Sequence, residues 1–236
     1  MIGRLERSFA EIRRFTADAS HELRTPLTAI RTEAEVALAK PLGLTEHQQL
    51  LGSILEECDR LTRLTDQLLA LAREDVCAAR QAQQRVNLAA LVGEVAETMR
   101  PLADAKELRL DVEVNGATWV LGDAPRLREV FFNLIDNGIK YTPEGGEVAL
   151  WVGQNGLEAV VTVRDTGIGI PPEHVPHIFD RFYRVDKARS RAEGGTGLGL
   201  SIAQSIAGAH GGRIELASTL GQGTTCTVRL PADTEL

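Results

Sequence analysis

The chain has few of the features that mark metal-binding, secreted or membrane-spanning proteins. Its 236 residues include only three cysteines, Cys58, Cys77 and Cys226, which are too widely spaced to form a metal-ligand cluster. They indicate reduced thiols in a cytosolic protein. No apolar run approaches the ~20 residues that cross a bilayer, and no signal peptide opens the chain. The formal net charge of -7 argues against a general affinity for nucleic acid or anionic membranes.

The chain opens with a long amphipathic pattern that contains the segment HELRTPLT, residues 21–28. Apolar residues recur in steps of three and four, which predicts a helix with one seam for a bundle or coiled coil. The seam consists of Leu5, Phe9, Ile12, Thr16, Ala19, Leu23, Leu27 and Ile30. His21 lies roughly 200° around this helix from Ala19. We therefore expect an exposed histidine, and an ordinary surface position without chemistry is the alternative.

Three neighbours favour a chemical role for His21. Glu22 places a carboxylate beside the imidazole, where it can hold one ring nitrogen protonated and leave the other as a nucleophile. Thr25 lies one turn further along on the same face. Pro26 has no N–H for the carbonyl of Glu22 and costs about 3 kcal/mol in a helix interior. We expect a local bend at the histidine as the reason for that cost.

Residues 1–76 are predicted to form a helical hairpin. The first helix ends at the sequence KPLG, residues 40–43, and a second begins near Thr45 with a seam from Leu51 to Leu71. One hairpin covers its own apolar stripe poorly, so we expect two copies to form an antiparallel four-helix bundle. Packing of the hairpin on the rest of the chain is the alternative. Met1 lies almost inside the patterned helix, so we expect that a longer natural chain has been cut here.

After a linker over residues 77–86, residues 87–236 show a mixed α/β pattern. Asp123 can cap a helix that runs to Lys140, and Asn155-Gly156 can join strands 147–152 and 158–164 as a hairpin. Other helices are predicted at 88–99 and 198–209, and other strands at 108–114, 119–121, 213–217 and 224–230. This order predicts an α/β sandwich in which the helices are layered on one sheet.

One face of the predicted helix 123–140 carries Asn133, Asn137 and Lys140. Amide oxygens can bind a hard cation such as Mg²⁺, and a lysine can contact phosphate. A solvated polar face is the alternative.

Two glycine-rich segments follow. Asp165 ends a strand and opens DTGIGI, whose glycines let a flat ligand approach the backbone unless they only form a turn. The second segment, GGTGLGL at 194–200, leads into a helix whose N-terminal amides favour phosphate. Between the two lie about two dozen residues without clear periodicity, including Phe182 and Tyr183, and such a segment is typical of a lid over a ligand.

Five short segments together resemble the bacterial two-component sensor histidine kinases. HELRTPLT resembles the phosphoacceptor box of that family, and NLIDNGIKYT resembles its asparagine box. DTGIGI and GGTGLGL resemble its two glycine boxes, and FDRFYR resembles its phenylalanine box. The segments occur in the family order, and the resemblance covers both domains, from about residue 4 to residue 231. Gly138 and Thr166 depart from the pattern, at positions where alanine and asparagine are common.

The resemblance implies an ATP-dependent histidine kinase core. Its hairpin, residues 1–76, would be the dimerisation and phosphoacceptor domain, and residues 87–236 would form an ATP-binding domain of the gyrase and histidine kinase type. His21 would accept the γ-phosphoryl group of ATP, Glu22 would orient or deprotonate the imidazole, and Thr25 matches a position implicated in dephosphorylating the partner.

The resemblance also implies roles in binding ATP and Mg²⁺. Asn137 would ligate Mg²⁺ with support from Asn133, Lys140 and Arg184 would contact phosphates, and Asp165 would receive the adenine amino group. The glycines would shape the adenine pocket and form the lid hinge and phosphate cradle. The complete nucleotide-binding set is Asn133, Asn137, Lys140, Tyr141, Asp165, Gly167, Gly169, Arg184, Gly195, Thr196, Gly197, Leu198 and Gly199.

The implied partners are a second copy of the chain and the receiver domain of a response regulator, without nucleic acid. Membrane attachment is expected only through a missing N-terminal region, so that this piece is the cytoplasmic part of an inner-membrane protein. One alternative is an ATP hydrolase of the gyrase-like superfamily, but Asn133 stands where those enzymes carry a glutamate base, and an amide cannot take a proton from water. The other alternative is a non-catalytic dimeric scaffold that binds nucleotide, which would have no need of His21.

Overall fold

The computed structural model describes residues 2–39, 43–77, 84–186 and 195–233. Residues 40–42 of the predicted KPLG helix end and residues 78–83 of the predicted linker lie outside the described residues. The chain divides into two compact units, one with the described residues up to 72 together with 195 and 196, and the other with the rest of the described residues. The first unit contains the helical hairpin and the second contains the α/β sheet.

Two long helices form the hairpin, as the sequence predicts. Helix α1 spans Ile2–Ala39 and helix α2 spans Leu44–Cys77. Helix α1 continues on both sides of the buried Pro26. On α2, Leu64 and Leu71 are buried, whereas Leu51, Leu55 and Leu69 are exposed in the single chain. None of the helices in the described ranges is long and apolar enough to cross a membrane.

The second unit is built on a mixed five-stranded sheet. Its elements are β1 (Gln84–Asn87), α3 (Leu88–Ala105), β2 (Arg109–Val114), β3 (Trp119–Gly122), α4 (Ala124–Tyr141), β4 (Glu147–Asn155), β5 (Glu158–Asp165), α5 (Gly199–Ala209), β6 (Arg213–Thr219) and β7 (Gly223–Pro231). The strand order is β2-β4-β5-β7-β6, with β2 parallel to β4 and the other pairs antiparallel. The predicted hairpin between β4 and β5 is confirmed, but its turn lies one residue later than predicted: Asn155 pairs with Glu158, and Gly156, with a φ of 61°, and Leu157 form the turn.

The three helices cover one face of the sheet, and α4 packs against both α3 and α5. Alternate residues of β4 and β5 face them, so Leu150 and Val163 are buried next to each other in the register. Phe131 and Ile135 of α4 are fully buried, as is Ile202 of α5. Burial of each such side chain stabilises the fold by about 1.5–3 kcal/mol. The predicted sandwich of helices on one sheet is confirmed, and α4 lies at its centre.

Two elements differ from the sequence prediction. Strand β1 begins at Gln84, inside the stretch predicted as linker, and pairs antiparallel with β3. Helix α3 continues through Pro101 to Ala105, about two turns beyond the predicted end at Met99. Ala103 is fully buried in this extension, so tertiary packing offsets the cost of the proline.

Both edge strands of the sheet carry charged side chains. Arg109 of β2 forms ion pairs with Asp111 at 2.6 Å and Glu147 at 2.9 Å. At the other edge, Arg213 of β6 pairs with Glu215 at 2.9 Å and with Glu158 at 2.6 Å. Exposed ion pairs of this kind add little stability.

Candidate functional site

Helix α4 begins with a side-chain cap. Asp123 is its N-cap, with its Oδ1 accepting from the amide of Arg126 at 3.2 Å, and Pro125 occupies the first turn. The side chains of Asn133 and Asn137 are half-buried and make no hydrogen bond within the described part of the chain. Lys140 is engaged, since its Nζ lies 2.5 Å from Oδ2 of Asp136. The helix therefore offers two unengaged amides and one lysine that would have to leave its carboxylate to contact a phosphate.

Asp165 lies at the end of β5, next to α4. Its Oδ1 accepts from the amides of Gly167 at 2.9 Å and Thr224 at 3.1 Å, and its Oδ2 makes no hydrogen bond within the described residues. A Cβ on Gly138 of α4 would lie 3.8 Å from the Cβ of Asp165. Burial raises the pKa of the Asp165 carboxyl and outweighs the two amide bonds, which lower it. This carboxylate is held rigidly by one oxygen, and its other oxygen is available to a ligand.

The glycines of DTGIGI are required by contacts within the protein. A Cβ on Gly167 would lie 2.6 Å from the carbonyl oxygen of Tyr141. Gly169 has a φ of 67°, and a Cβ there would lie 2.0 Å from the carbonyl oxygen of Thr219. The immediate neighbours of these glycines are thus the end of α4 and the end of β6. A role of the same glycines in shaping the adenine pocket stays a prediction.

The second glycine segment meets α4 at Asn133. A Cβ on Gly199, the first residue of α5, would lie 2.9 Å from Oδ1 of Asn133. Leu198 is buried at the N-cap and provides no side-chain cap, so the first amides of α5 are not capped from that position. Gly197 has a φ of 74°, and its carbonyl accepts from the amide of Phe182 at 2.9 Å. The structure thus brings Asn133, Gly197, Leu198 and Gly199 together.

The remaining residues of the predicted nucleotide-binding set are divided between the two units. Tyr141 and Arg184 are half-buried in the second unit. Gly195 and Thr196 group with the helical hairpin instead, and Oγ1 of Thr196 donates to Oε1 of Gln67 at 2.6 Å. In the stretch before Arg184, the Tyr183 hydroxyl and Nδ1 of His174 lie 2.6 Å apart.

His21 is exposed on α1, as the seam predicts, and Glu22 is half-buried next to it. The Thr25 hydroxyl is exposed and donates to the carbonyl of His21 at 3.2 Å. The three residues predicted for phosphoryl chemistry therefore lie within one turn of a single helix, and the imidazole is open to solvent.

The donor set fits a magnesium nucleotide better than a metal held by the protein alone. Among the described residues no group of three or more histidine, cysteine, aspartate or glutamate side chains could hold a metal ion. Mg²⁺ is usually bound through one or two protein oxygens together with substrate phosphates. The unengaged amides of Asn133 and Asn137 fit such a shared site.

A separate hollow of about 550 Å³ lies over the strands β2, β4 and β5. Its lining includes Trp151, Arg164, Arg109, Asp111 and Glu113, which mix both signs of charge. None of the residues predicted for catalysis or nucleotide binding lines it.

Two contributors to the site were missed by sequence reasoning. The amide of Thr224 holds Asp165 from a strand almost sixty residues away, which no local pattern reveals. Lys106 donates to main-chain carbonyls at the end of α4 and resembles any other surface lysine in the sequence.

Comparisons with known proteins identify both units. Residues 122–234 match the family described as histidine kinase-, DNA gyrase B-, and HSP90-like ATPase, and residues 11–76 match the His Kinase A (phospho-acceptor) domain. The first unit therefore contains a phosphoacceptor domain, and the second unit is an ATPase-type domain. The chain belongs to the sensor histidine kinases.

Curated relatives agree with this assignment. The chain is 37% identical over 232 residues to the sensor protein IrlS of Burkholderia pseudomallei, which covers 98% of this chain and 50% of that protein. It is 40% identical over 224 residues to the sensor protein SrrB of Staphylococcus aureus, which covers 92% of this chain and 37% of that protein. The chain thus spans half or less of the length of these relatives.

Solved structures show the same fold. Full-length ShkA in complex with AMPPNP is 30% identical, with a TM-score of 0.71 over 93% of this chain and 46% of that chain. The Acinetobacter baumannii histidine kinase AdeS is 24% identical, with a TM-score of 0.73 over 91% of this chain and 98% of that chain. ThkA in complex with the response regulator protein TrrA is 22% identical, with a TM-score of 0.78 over 97% of this chain and 64% of that chain.

Proposed function

We propose that this chain is the kinase core of a two-component sensor, which transfers the γ-phosphoryl group of ATP to His21 and then to an aspartate of a response regulator. The observation that carries the proposal is that one unit exposes the His21–Glu22–Thr25 turn, while in the other unit helix α4 lies next to Gly199 at Asn133 and next to Asp165 at Gly138. One unit provides the nucleophile, and the other provides the groups suited to ATP.

The first step is an in-line displacement at phosphorus. A ring nitrogen of His21 attacks the γ-phosphorus, the bond from that phosphorus to the bridging oxygen breaks, and ADP leaves with the electron pair. The neutral form of an imidazole is a competent nucleophile. Glu22 holds the reactive tautomer, offsets the positive charge that develops on the ring, and accepts its proton. Phosphoryl transfer of this kind depends mainly on positioning and on neutralising charge.

The nucleotide is held by the second unit. The free Oδ2 of Asp165 is suited to the adenine amino group, and Asn137, supported by Asn133, would hold Mg²⁺. When bound, the ion neutralises charge on the phosphates. Lys140 and Arg184 would contact phosphates, as would the amides of residues 197–199 at the start of α5. Tyr141, Gly167 and Gly169 support the adenine side.

The hairpin is suited to a homodimer and to a receiver domain. Leu51, Leu55 and Leu69 are 57%, 64% and 55% exposed in the single chain, an apolar surface that a second copy would cover in a four-helix bundle. The exposed face around His21 would receive the response regulator, and the structural relative ThkA was solved with such a partner. In the complete protein this piece would be the cytoplasmic part of a sensor anchored to the membrane through an additional N-terminal region.

Incubation with Mg²⁺ and γ-labelled ATP tests the proposal. We expect label on the protein that is labile to acid and stable to alkali, and we expect none on His21→Gln. His47→Gln is the matched control, because His47 is another exposed histidine of the hairpin. Asn137→Ala should also abolish labelling through loss of Mg²⁺, and persistent labelling in that variant would refute the metal role.

The same assay separates the two other candidate functions. Free phosphate without labelled protein would indicate an ATP hydrolase. Nucleotide binding without labelled protein or free phosphate would indicate a scaffold.

A further inference from the structure

Every carbonyl at the end of α4 has a partner. An α-helix leaves its last carbonyls without an intrahelical bond, and in α4 these are the carbonyls of Ile139, Lys140 and Tyr141, since the amide of Thr142 donates to the carbonyl of Gly138 at 3.2 Å. The carbonyl of Gly138 accepts from the Thr142 hydroxyl at 2.6 Å. The other three carbonyls need hydrogen-bond donors from other parts of the chain. In the described part of the chain, these partners come from two places.

One of those places is Lys106. Its Nζ donates to the carbonyl of Ile139 at 2.8 Å and to the carbonyl of Lys140 at 2.6 Å. Lys106 is half-buried and lies in the turn after α3, where its own amide donates to the carbonyl of Ala103 at 3.0 Å. A cation at this position also opposes the negative end of the helix dipole. A single side chain thus pairs two of these three carbonyls and opposes the negative partial charge at the helix end.

The other place is the loop that follows Asp165. The amide of Ile168 donates to the carbonyl of Tyr141 at 3.1 Å. That same carbonyl oxygen would lie 2.6 Å from a Cβ on Gly167, so the loop and the helix end are in close contact. A shift of the last turn of α4 would therefore displace the loop whose Gly167 amide holds Asp165.

We propose that Lys106 is a positioning residue for nucleotide binding, which fixes the last turn of α4 against the loop 165–168 and so places Asp165. The inference rests on the proposed function of Asp165 as the adenine-binding carboxylate. Lys106 itself need not touch the nucleotide. Its removal leaves two half-buried carbonyls without a partner, which favours opening of the last turn.

The test compares Lys106→Met with Arg100→Met in the full chain. Methionine keeps an unbranched stem and removes the charge and the donors. Arg100 is a matched control because it lies on α3, the helix that Lys106 follows, and also donates to a main-chain carbonyl, that of Leu110 at 3.1 Å, away from α4. For Lys106→Met we expect KM for ATP in autophosphorylation to rise about tenfold, equivalent to ~1.4 kcal/mol. We expect kcat to change little, and Lys106→Arg to recover part of the loss.

A second measurement does not depend on activity. Hydrogen exchange at the amide of Ile168, without nucleotide, should become faster in Lys106→Met and stay unchanged in Arg100→Met. Equal exchange in Lys106→Met and the unsubstituted chain would overturn the inference, as would equal changes in KM for the two methionine variants. If the unsubstituted chain binds no AMPPNP, the proposed function fails, while the exchange result still decides whether Lys106 positions the loop. If Lys106→Met does not fold, Lys106→Gln replaces it in both measurements.

Discussion

Asn133 and Gly199 lie side by side, so that a Cβ on Gly199 would stand 2.9 Å from Oδ1 of Asn133. Gly199 is the first residue of α5 and has no positive φ, so its backbone accepts other residues. What the site requires there is space. The absence of a side chain at Gly199 lets the asparagine face of α4 and the start of α5 approach each other.

We therefore expect Gly199→Ala to lower the affinity for ATP several-fold without destabilising the fold. The new methyl group would displace the Asn133 amide, whereas alanine is favoured over glycine in a helix by up to ~1 kcal/mol. Gly208→Ala is the matched control, since it lies on the same helix with nothing within 4 Å of its Cβ position. Titration with AMPPNP and thermal unfolding of both variants measure the two effects. Equal affinities for the two variants would show that Asn133 is not displaced or does not contact the nucleotide.

Asp165→Asn should abolish ATP binding while leaving the second unit as stable as before, or more stable. Burial raises the pKa of the folded carboxyl above its unfolded value, so the folded state binds the proton more tightly than the unfolded state does. The original chain therefore loses stability relative to Asp165→Asn as the pH rises from the unfolded pKa through the folded pKa, and the difference is constant above that interval. Thermal unfolding of both proteins from pH 4 to pH 8 tests this sign. A difference that favours the original chain increasingly with rising pH would contradict it.

Cys226 should be unreactive in the folded protein. Burial raises the pKa of its thiol to about 12, so almost no thiolate is present at pH 8. Cys58 is exposed and should react with iodoacetamide. In a Cys77→Ser background we expect one modified thiol in native conditions and two after unfolding, as counted by mass spectrometry. Cys58→Ser should reduce these numbers to none and one, and rapid modification of Cys226 in buffer would show that the β5–β7 pairing opens easily.

Thr25→Ala should leave the labelling of His21 intact and slow the dephosphorylation of the response regulator. The rate at which the purified, labelled regulator loses its label measures this effect. The Thr25 hydroxyl is exposed one turn from His21, where it can meet the partner's phosphoaspartate or its attacking water. Thr28→Ala controls for loss of a hydroxyl bonded to the preceding turn, because Thr28 donates to the carbonyl of Arg24 at 2.8 Å in the same way. Unchanged dephosphorylation in Thr25→Ala would remove Thr25 from the scheme.

Local chemistry made much of the fold predictable. Asp123 with Pro125 marked the start of α4, and Asn155-Gly156 marked the β4–β5 hairpin, because each depends on a few adjacent residues. The two long helices followed from their apolar period. By contrast, β1 has only four residues and no alternation long enough to detect, and α3 passes Pro101 because its far end is buried. Tertiary packing decided both cases.

The sequence predicted the residue types of the candidate site but not the distant residues that hold them in place. The exposure of His21 followed from the helical seam. The amide of Thr224 and the side chain of Lys106 reach the site from distant segments, so their contribution depends on the folded arrangement. The close contact of Gly167 with the carbonyl of Tyr141 likewise joins segments that are distant in the sequence, so DTGIGI alone does not reveal it.

The charged borders of the sheet bear on how this protein behaves at high concentration. A strand from another molecule that added to β2 or β6 would have to lie alongside Arg109 and Asp111 or alongside Arg213 and Glu215, and would lose their solvation. Charges at these borders discourage the runaway strand addition that leads to fibrils. Replacing the four with threonine or valine would leave the fold's interior untouched and turn those borders into sites where precipitation begins.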